Sequence, residues 1–319
     1  MPIRPSSPGK AVLPLLLSLL KRIGLALITL WGVSLITFAL LFLVPADPAQ
    51  MIAGARTDPE TIANIRKDRG LDKPAYQQYI LFVSDIFTNN LKSYRNDDKV
   101  ISAIARRFPA TLWLALTGLL IYMLVAIPVG LWTANRAGTL WDRAALVLGL
   151  IAISIPTFWS GRLFQYYLGY KTGWFHIGGE ASWANLPLPA LTLGLVGAAY
   201  YSRLLHANLM GVMKNDFIRA ARARGLSEPA VMGKHALKNA LIPVITILGL
   251  DFASLLSGLI FTEKIFAWPG IGSLAVDSVL NLDVPMIMGT VLFSALMVVS
   301  ANIAVDFAYR LIDPRVRVE

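Results

Sequence analysis

Long apolar stretches alternate with short polar ones along this chain. Apolar runs occupy 23–44, 110–135, 144–168, 186–210, 242–262 and 286–312. Each is near the ~20 residues that cross a hydrocarbon layer. Backbone that deep in lipid must satisfy its own hydrogen bonds, so the runs predict an all-α integral membrane protein with about six transmembrane helices. The polar segment 45–109 carries helix signals of its own: Asp58-Pro59-Glu60 as a start, Gly70 as a stop and Asp72-Lys73-Pro74 as a second start. Tyr79, Ile80, Val83, Ile86 and Phe87 recur at helical spacing and predict a packing face. The organisation read from this pattern is a lead-in at 1–22, a first membrane helix at 23–44, an external helical loop at 45–109, a five-helix core at 110–312 and a tail at 313–319.

The polar loop inside that core, at about 214–241, is rich in helix signals. Asn215 or Asp216 is placed to cap a short helix, and Gly225 to end it, because glycine accepts the left-handed geometry after a helix. Ser227, Glu228 and Pro229 then open a second helix, with proline tolerated in the first turn. A bent helix–turn–helix at a membrane surface is a docking element.

With 56% hydrophobic and 15% charged residues, the composition excludes an ordinary soluble domain. Lys and Arg set the orientation. Lys21 and Arg22 precede the first run, and Arg136 and Arg143 flank the loop after the second. Lys214, Arg219, Arg222, Arg224, Lys234 and Lys238 crowd the loop after the fourth, and Arg310, Arg315 and Arg317 lie at the end of the chain. The opposite loops hold only Lys171 and Lys264. Both termini and the 214–241 loop are therefore expected in the cytoplasm. The 45–109 segment holds many cations yet would lie outside; its acids roughly balance its bases, and segments near 60 residues largely escape the rule. The net charge of +10 is explained by topology and anionic membrane lipid, without nucleic acid. Cysteine is absent, which excludes disulfides and thiolate metal sites. Residues 11–20 are apolar but run into Lys21-Arg22 and a full span, as a lead-in helix or an extension of the first span, not a cleaved signal.

The run Asp216-Phe-Ile-Arg-Ala-Ala-Arg-Ala-Arg-Gly225 resembles the EAA loop of ABC importer permeases, whose short coupling helix sits in a groove of the cytoplasmic ATPase. Lys234-His-Ala-Leu-Lys-Asn-Ala-Leu-Ile-Pro-Val244 narrows the resemblance to the B-type permease of bacterial dipeptide, oligopeptide and nickel importers. Further markers are Gly70-Leu-Asp-Lys-Pro74 with Gln78-Tyr79, and Phe266-Ala-Trp-Pro-Gly-Ile-Gly272, the latter fitting a turn or re-entrant piece at the outer interface. The likeness extends from Val44-Pro-Ala-Asp-Pro48 to Asp313-Pro-Arg-Val-Arg317. Arg219, where the general EAA pattern has Glu, and Pro243, which lies farther from Gly225 than that pattern places it, are both at home in the peptide/nickel branch; the chain departs from that branch at Asn89-Asn90-Leu91, where Gly-Asp-Leu-Gly is common.

What the resemblance implies is a type I permease fold, with both termini inside, in the bacterial inner membrane. It implies a heteromeric machine with a second homologous permease, two ABC ATPase subunits or domains, and an extracytoplasmic solute-binding protein. Asp216, Arg219, Ala220, Ala221, Arg222 and Gly225 would couple to the ATPase: the alanines by close approach, the arginines against acidic groups, the glycine by its bend. The cargo it implies is a dipeptide, longer peptide, nickel complex, haem or glutathione.

Ionisable residues within apolar runs are costly and point to function or to a paired contact. Asp251, with Ser254 and Ser257 nearby, reads either as part of a translocation pathway or as a polar interhelical contact. Asp306 and Arg310 fit an i,i+4 ion pair. Arg203 and His206 read as snorkelling residues or contacts to neighbouring subunits, and Pro156 as a kink in the third span. Nothing points to catalysis, a cofactor or a metal. His176, His206 and His235 fall in different segments, and Gly233-Lys234 lacks the Ser/Thr and first Gly of a phosphate loop. The rival readings are a secondary transporter or channel that works without an ATPase and, more distantly, a membrane enzyme.

Overall fold

The computed structural model describes residues 9–43, 47–54 and 57–312, with backbone alone at 9–19 and 305–312. The Asp306–Arg310 pair lies outside the described side chains. The chain divides into two units, one from Met1–Ala103 and Asp277–Ala304, the other from Ile104–Val276 and Val305–Glu319.

The first unit opens with α1 (Gly9–Leu43), then α2 (Pro48–Ala53), α3 (Pro59–Asp68) and α4 (Ala75–Phe87). The expected helix starts form as the local chemistry requires. The Asp58 carboxylate accepts the Thr61 N–H at 2.8 Å, which holds its pKa below the ordinary carboxylate value. Gly70, at φ +65°, follows the end of α3. On α4, Phe82 is buried, and Tyr79 meets α1 through a 2.8 Å hydrogen bond to Ser34 and an edge contact with Phe38. The packing face is narrower than the spacing suggested, because Ile80 and Phe87 are 61% and 85% exposed. In the same unit, Asp283 accepts the Ser93 hydroxyl and, at 3.0 Å, the Tyr94 N–H.

The second unit takes most of α5 (Val100–Ala134), then α6 (Leu140–Ser154), α7 (Thr157–Lys171), α8 (Pro187–Val212), α9 (Asp216–Ala223), α10 (Glu228–Leu256) and α11 (Ile260–Ile265). Its first stretch ends within α12 (Ile271–Leu280), and it resumes with the last turns of α13 (Val284–Ile312), the rest of which belongs to the first unit. Its core centres on α8, where Tyr201, Leu205 and Leu209 are buried together with Leu114, Val231 and Ala236. Helices α5 and α8 meet through small residues: a Cβ added to Gly194 or Gly197 would lie 2.3 Å from Ile121 or Tyr122.

Helices lie at all six predicted membrane positions. Among the described residues, four are long and apolar enough to cross a membrane by length and composition, or five if α6 and α7 form one span. The difference from six is α8. At 26 residues it is about 39 Å long. It falls short on apolarity because Arg203, His206 and Asn208 interrupt its apolar residues. The expected kink at Pro156 is a full break, with α6 and α7 bent by 95°. Proline disfavours helical geometry in its predecessor, and Ile155 is extended at φ −75°, ψ 122°. The Pro156 carbonyl then starts α7 by accepting the N–H groups of Trp159 and Ser160.

Candidate coupling and pathway sites

The 214–241 loop folds as the expected bent pair. Asn215 adopts the extended geometry of a helix start but makes no side-chain cap, and Asp216 instead pairs with Arg219 one turn on. Gly225, at φ +77°, makes the left-handed turn after α9. Ser227 is extended, and Glu228-Pro229 begin α10, which passes through a π-helical stretch at Val231–Ala236 into the fifth span.

Helix α9 is sharply two-faced. Ile218 is completely buried and Ala221 nearly so, anchoring one face on the bundle. Phe217, Arg219, Ala220 and Arg224 are exposed on the other. Of the two alanines expected to permit close approach, only Ala220 faces out. Arg222 bridges the turn, with Nε and Nη2 at 2.6 and 3.2 Å from the two carboxylate oxygens of Glu228. That bidentate pair ties the end of α9 to the start of α10. Phe217, a large apolar side chain 42% exposed on a polar surface, was missed in sequence; an aromatic beside the capping position was the available signal.

Asp251 accepts the Tyr201 hydroxyl at 2.6 Å, linking α10 to α8, and Tyr122 of α5 lies against Tyr201 with ring centroids 5.5 Å apart. Asp251 thus makes an interhelical polar contact. Ser254 and Ser257 donate to carbonyls of their own helix, at 3.5 and 2.6 Å. His206 is held inside the chain: its Nδ1 lies 3.1 Å from the Thr133 hydroxyl and 3.6 Å from Asp142, whose other oxygen accepts the Gly138 N–H.

The aromatic–glycine marker at 262–272 folds around a buried carboxylate. Glu263 is fully buried. Its Oε1 accepts the Thr111 hydroxyl at 2.7 Å and its Oε2 the Ser273 N–H at 2.8 Å. Thr111 in turn accepts the Ile271 N–H at 2.8 Å. Burial pushes the Glu263 carboxyl above its usual range, against the pull of these donors. Trp268 is buried, its indole N–H donating to the Ala110 carbonyl at 2.9 Å. Gln165 of α7 donates to the carbonyls of Ile177 and Ile265, both at 2.9 Å. A Cβ on Gly270 would fall 2.2 Å from Glu263 Oε1, so the glycine is required where the turn closes over the carboxylate. Thr111 and Gln165 were also missed; each is an uncharged polar residue within an apolar run, a weaker signal than the charge that singled out Asp251.

Comparison with known proteins places the whole arrangement. Residues 126–318 match the family described as binding-protein-dependent transport system inner membrane component, and residues 15–115 match the N-terminal region of such components. The glutathione transport system permease protein GsiC of Escherichia coli (strain K12) is 37% identical over 299 residues, covering 93% of this chain and 98% of that protein. The di/tripeptide transport system permease protein DppB of Pseudomonas aeruginosa (strain UCBPP-PA14) is 34% identical over 327 residues, covering 93% and 97%. Among solved structures, an inward-facing MetNI methionine ABC transporter shares the fold, with a TM-score of 0.54, 19% identity, and coverage of 67% of this chain and 97% of that one. The chain belongs to the binding-protein-dependent transport system inner membrane component family and is a multi-pass, inner-membrane permease subunit of an ABC importer that works with ATPase subunits.

Proposed function

We propose that this permease forms half of a translocation pathway for peptides or a peptide-like small solute, pairing with a second, homologous permease above two ABC ATPase subunits and below an extracytoplasmic binding protein. Relatives matched over more than nine-tenths of the chain and named for glutathione and for di- and tripeptides support that cargo class. The coupling element is α9, with Asp216, Arg219, Ala220, Arg222 and Gly225 from the motif and Phe217 added by its exposure.

One observation carries the coupling role. Helix α9 is fixed to the bundle by Ile218 and Ala221 while it offers Phe217, Arg219 and Ala220 to water. A helix so held transmits a push or pull from below to α10, which starts three residues after Gly225. Phe217 is the apolar anchor for the ATPase groove and the exposed charges are its rim. Asp251 with Tyr201 holds α8 and α10 together as they move, which makes it a structural tie of the pathway wall.

The test is affinity purification of the tagged permease in mild detergent, followed by ATP-driven uptake of a labelled dipeptide into proteoliposomes. Recovery of a second permease and Walker-motif ATPases, with uptake that needs ATP, is expected. Phe217→Ala should fold normally and lose about tenfold in ATPase affinity, the scale of one interface anchor. Normal ATPase binding by that variant would remove Phe217 from the coupling surface.

A further inference from the structure

One cleft of the second unit belongs to none of the sites above. It encloses about 460 Å³ and is lined by Arg106, Arg107 and Trp113 from α5, by Ser182 and Trp183 before α8, and by Trp268 from the Glu263 turn. The charge distribution places these three segments, the start of α5 and the loops at 169–185 and 263–285, on the external side. Their convergence on one cleft comes from the fold.

The lining has a definite chemistry. Trp113 and Trp183 stand edge to face with ring centroids 5.1 Å apart, and both remain about half exposed or more, at 47% and 69%. Trp268 contributes an apolar ring alone, since its N–H is spent on the Ala110 carbonyl. Ser182 accepts the Asn185 N–H at 3.3 Å and keeps its own hydroxyl proton to donate. No acidic residue lines the cleft, and among the described residues no carboxylate pairs with Arg107. A guanidinium and indole rings lining one cleft, in a volume within the ~300–1,000 Å³ of small-molecule sites, match a ligand with a planar anion at one end and an apolar body at the other.

We propose that this cleft is an external binding site for the imported solute, in which Arg107 takes a carboxylate and Trp113 and Trp183 take an apolar side chain. The ligand class is a short peptide with a free C-terminal carboxylate. The inference rests on the peptide-import reading and adds to it a solute contact in the permease itself. Arg107 is then a specificity residue that separates peptide acids from peptide amides, and Trp113 is a contact that serves both.

The test uses the assembled importer in nanodiscs without its binding protein, with Ala-Phe and its C-terminal amide as probes in saturation-transfer NMR titrations. Wild type should bind Ala-Phe about tenfold more tightly than the amide, the scale of one charge-assisted hydrogen-bonded pair. Arg107→Gln should abolish that preference by weakening the acid alone, Arg107→Lys should restore part of it, and Trp113→Ala should weaken both probes. Equal binding of acid and amide by wild type, or an undiminished preference in Arg107→Gln, overturns the proposal. So does an Arg107→Gln effect confined to co-purifying phospholipid or to binding-protein affinity. Uptake by the complete importer distinguishes the two levels. ATP-driven uptake of Ala-Phe without the acid preference leaves the import reading standing and removes the cleft. Failure to take up any peptide removes both.

Discussion

Two polar segments flank α10, and they use the same residue types to opposite ends. Before it lies the α9 turn, with Arg222, Glu228 and Gly225 in water; after it lies the Glu263 turn, with its carboxylate, Thr111 and Gly270 out of water. In the first, a carboxylate and a glycine shape a surface. In the second, they hold a fold shut. Glycine again marks the difference: nothing lies within 4 Å of a Cβ placed on Gly225, whereas one on Gly270 runs into Glu263. Gly225 is needed for its backbone conformation, Gly270 for its missing side chain. A charged, glycine-bearing loop in a membrane protein is therefore not by itself a contact site. What decides is whether the charged groups stay in water, as Arg222 and Glu228 do, or are buried with their partners, as Glu263 is.

The sharpest way to break the contrast is at the one place where the exposed segment is rooted in the core. Ile218 is fully buried, and Ile218→Ala should destabilise the protein by ~2–5 kcal/mol, the cost of a large-to-small change in a packed interior. Thermal melting in mild detergent would register it, and ATPase binding should fall along with it. An unchanged melting temperature would mean that α9 rides loosely on the bundle, and the mechanical argument for coupling would fail.

The buried turn should be nearly as sensitive to an added methyl. Gly270→Ala forces its Cβ into the Glu263 carboxylate, so a loss of ~1–3 kcal/mol is expected from overpacking. Gly225→Ala strains only the local φ, since its surroundings are open, and should cost ~1 kcal/mol. Equal effects at the two glycines would show that the turn at 266–270 relaxes, and that the distinction drawn between them is wrong.

A smaller effect isolates the charge. The Glu263 carboxyl is raised above its ordinary value of 4.5 by burial, so the folded state holds that proton more tightly than the unfolded chain. Its contribution is fully present below pH 4.5 and is lost as pH rises through the higher folded value. Melting temperature should fall over that window in wild type, and the Glu263→Gln variant should lack this component of the slope. A slope unchanged by Glu263→Gln would assign it to other carboxylates.

How far these segments were legible beforehand follows from the range of the interactions that make them. The turn at Gly225 depends on neighbours in sequence, and the residue types named it correctly. The helix positions follow from the apolar runs, although α8 is not apolar enough to stand as a span by composition alone. Glu263 was not legible, because Thr262-Glu263-Lys264 reads as an ordinary polar loop and its partner Thr111 lies 152 residues away. Asp251 announced itself as costly, yet only the fold supplied Tyr201. Pro156 gave the right place and the wrong extent. A kink and a 95° break share one local cause, the missing N–H and the extended residue before it, and differ only in what the two half-helices pack against. Ile80 and Phe87, at i and i+7, lie on one edge of the predicted stripe, and that edge is left uncovered.

The last and smallest expected effect concerns the pair that the sequence reading split. Arg222 was assigned to an acidic group on the ATPase, but it meets Glu228 of its own chain. Both are solvent-exposed, so neither Glu228→Gln nor Arg222→Gln should move the melting temperature measurably at physiological salt. If the pair sets the angle between α9 and α10, each single change should lower ATP-driven uptake by about two- to threefold, as expected for a weak surface tie. The exchanged pair, Arg222→Glu with Glu228→Arg, should restore it. Rescue by exchange requires only that the two residues meet each other. If Arg222 instead reaches an acid on the ATPase, the exchanged pair places like charges at that contact and should be worse than either single variant. The two roles therefore predict opposite signs for the same double variant, and uptake rate reads the sign directly.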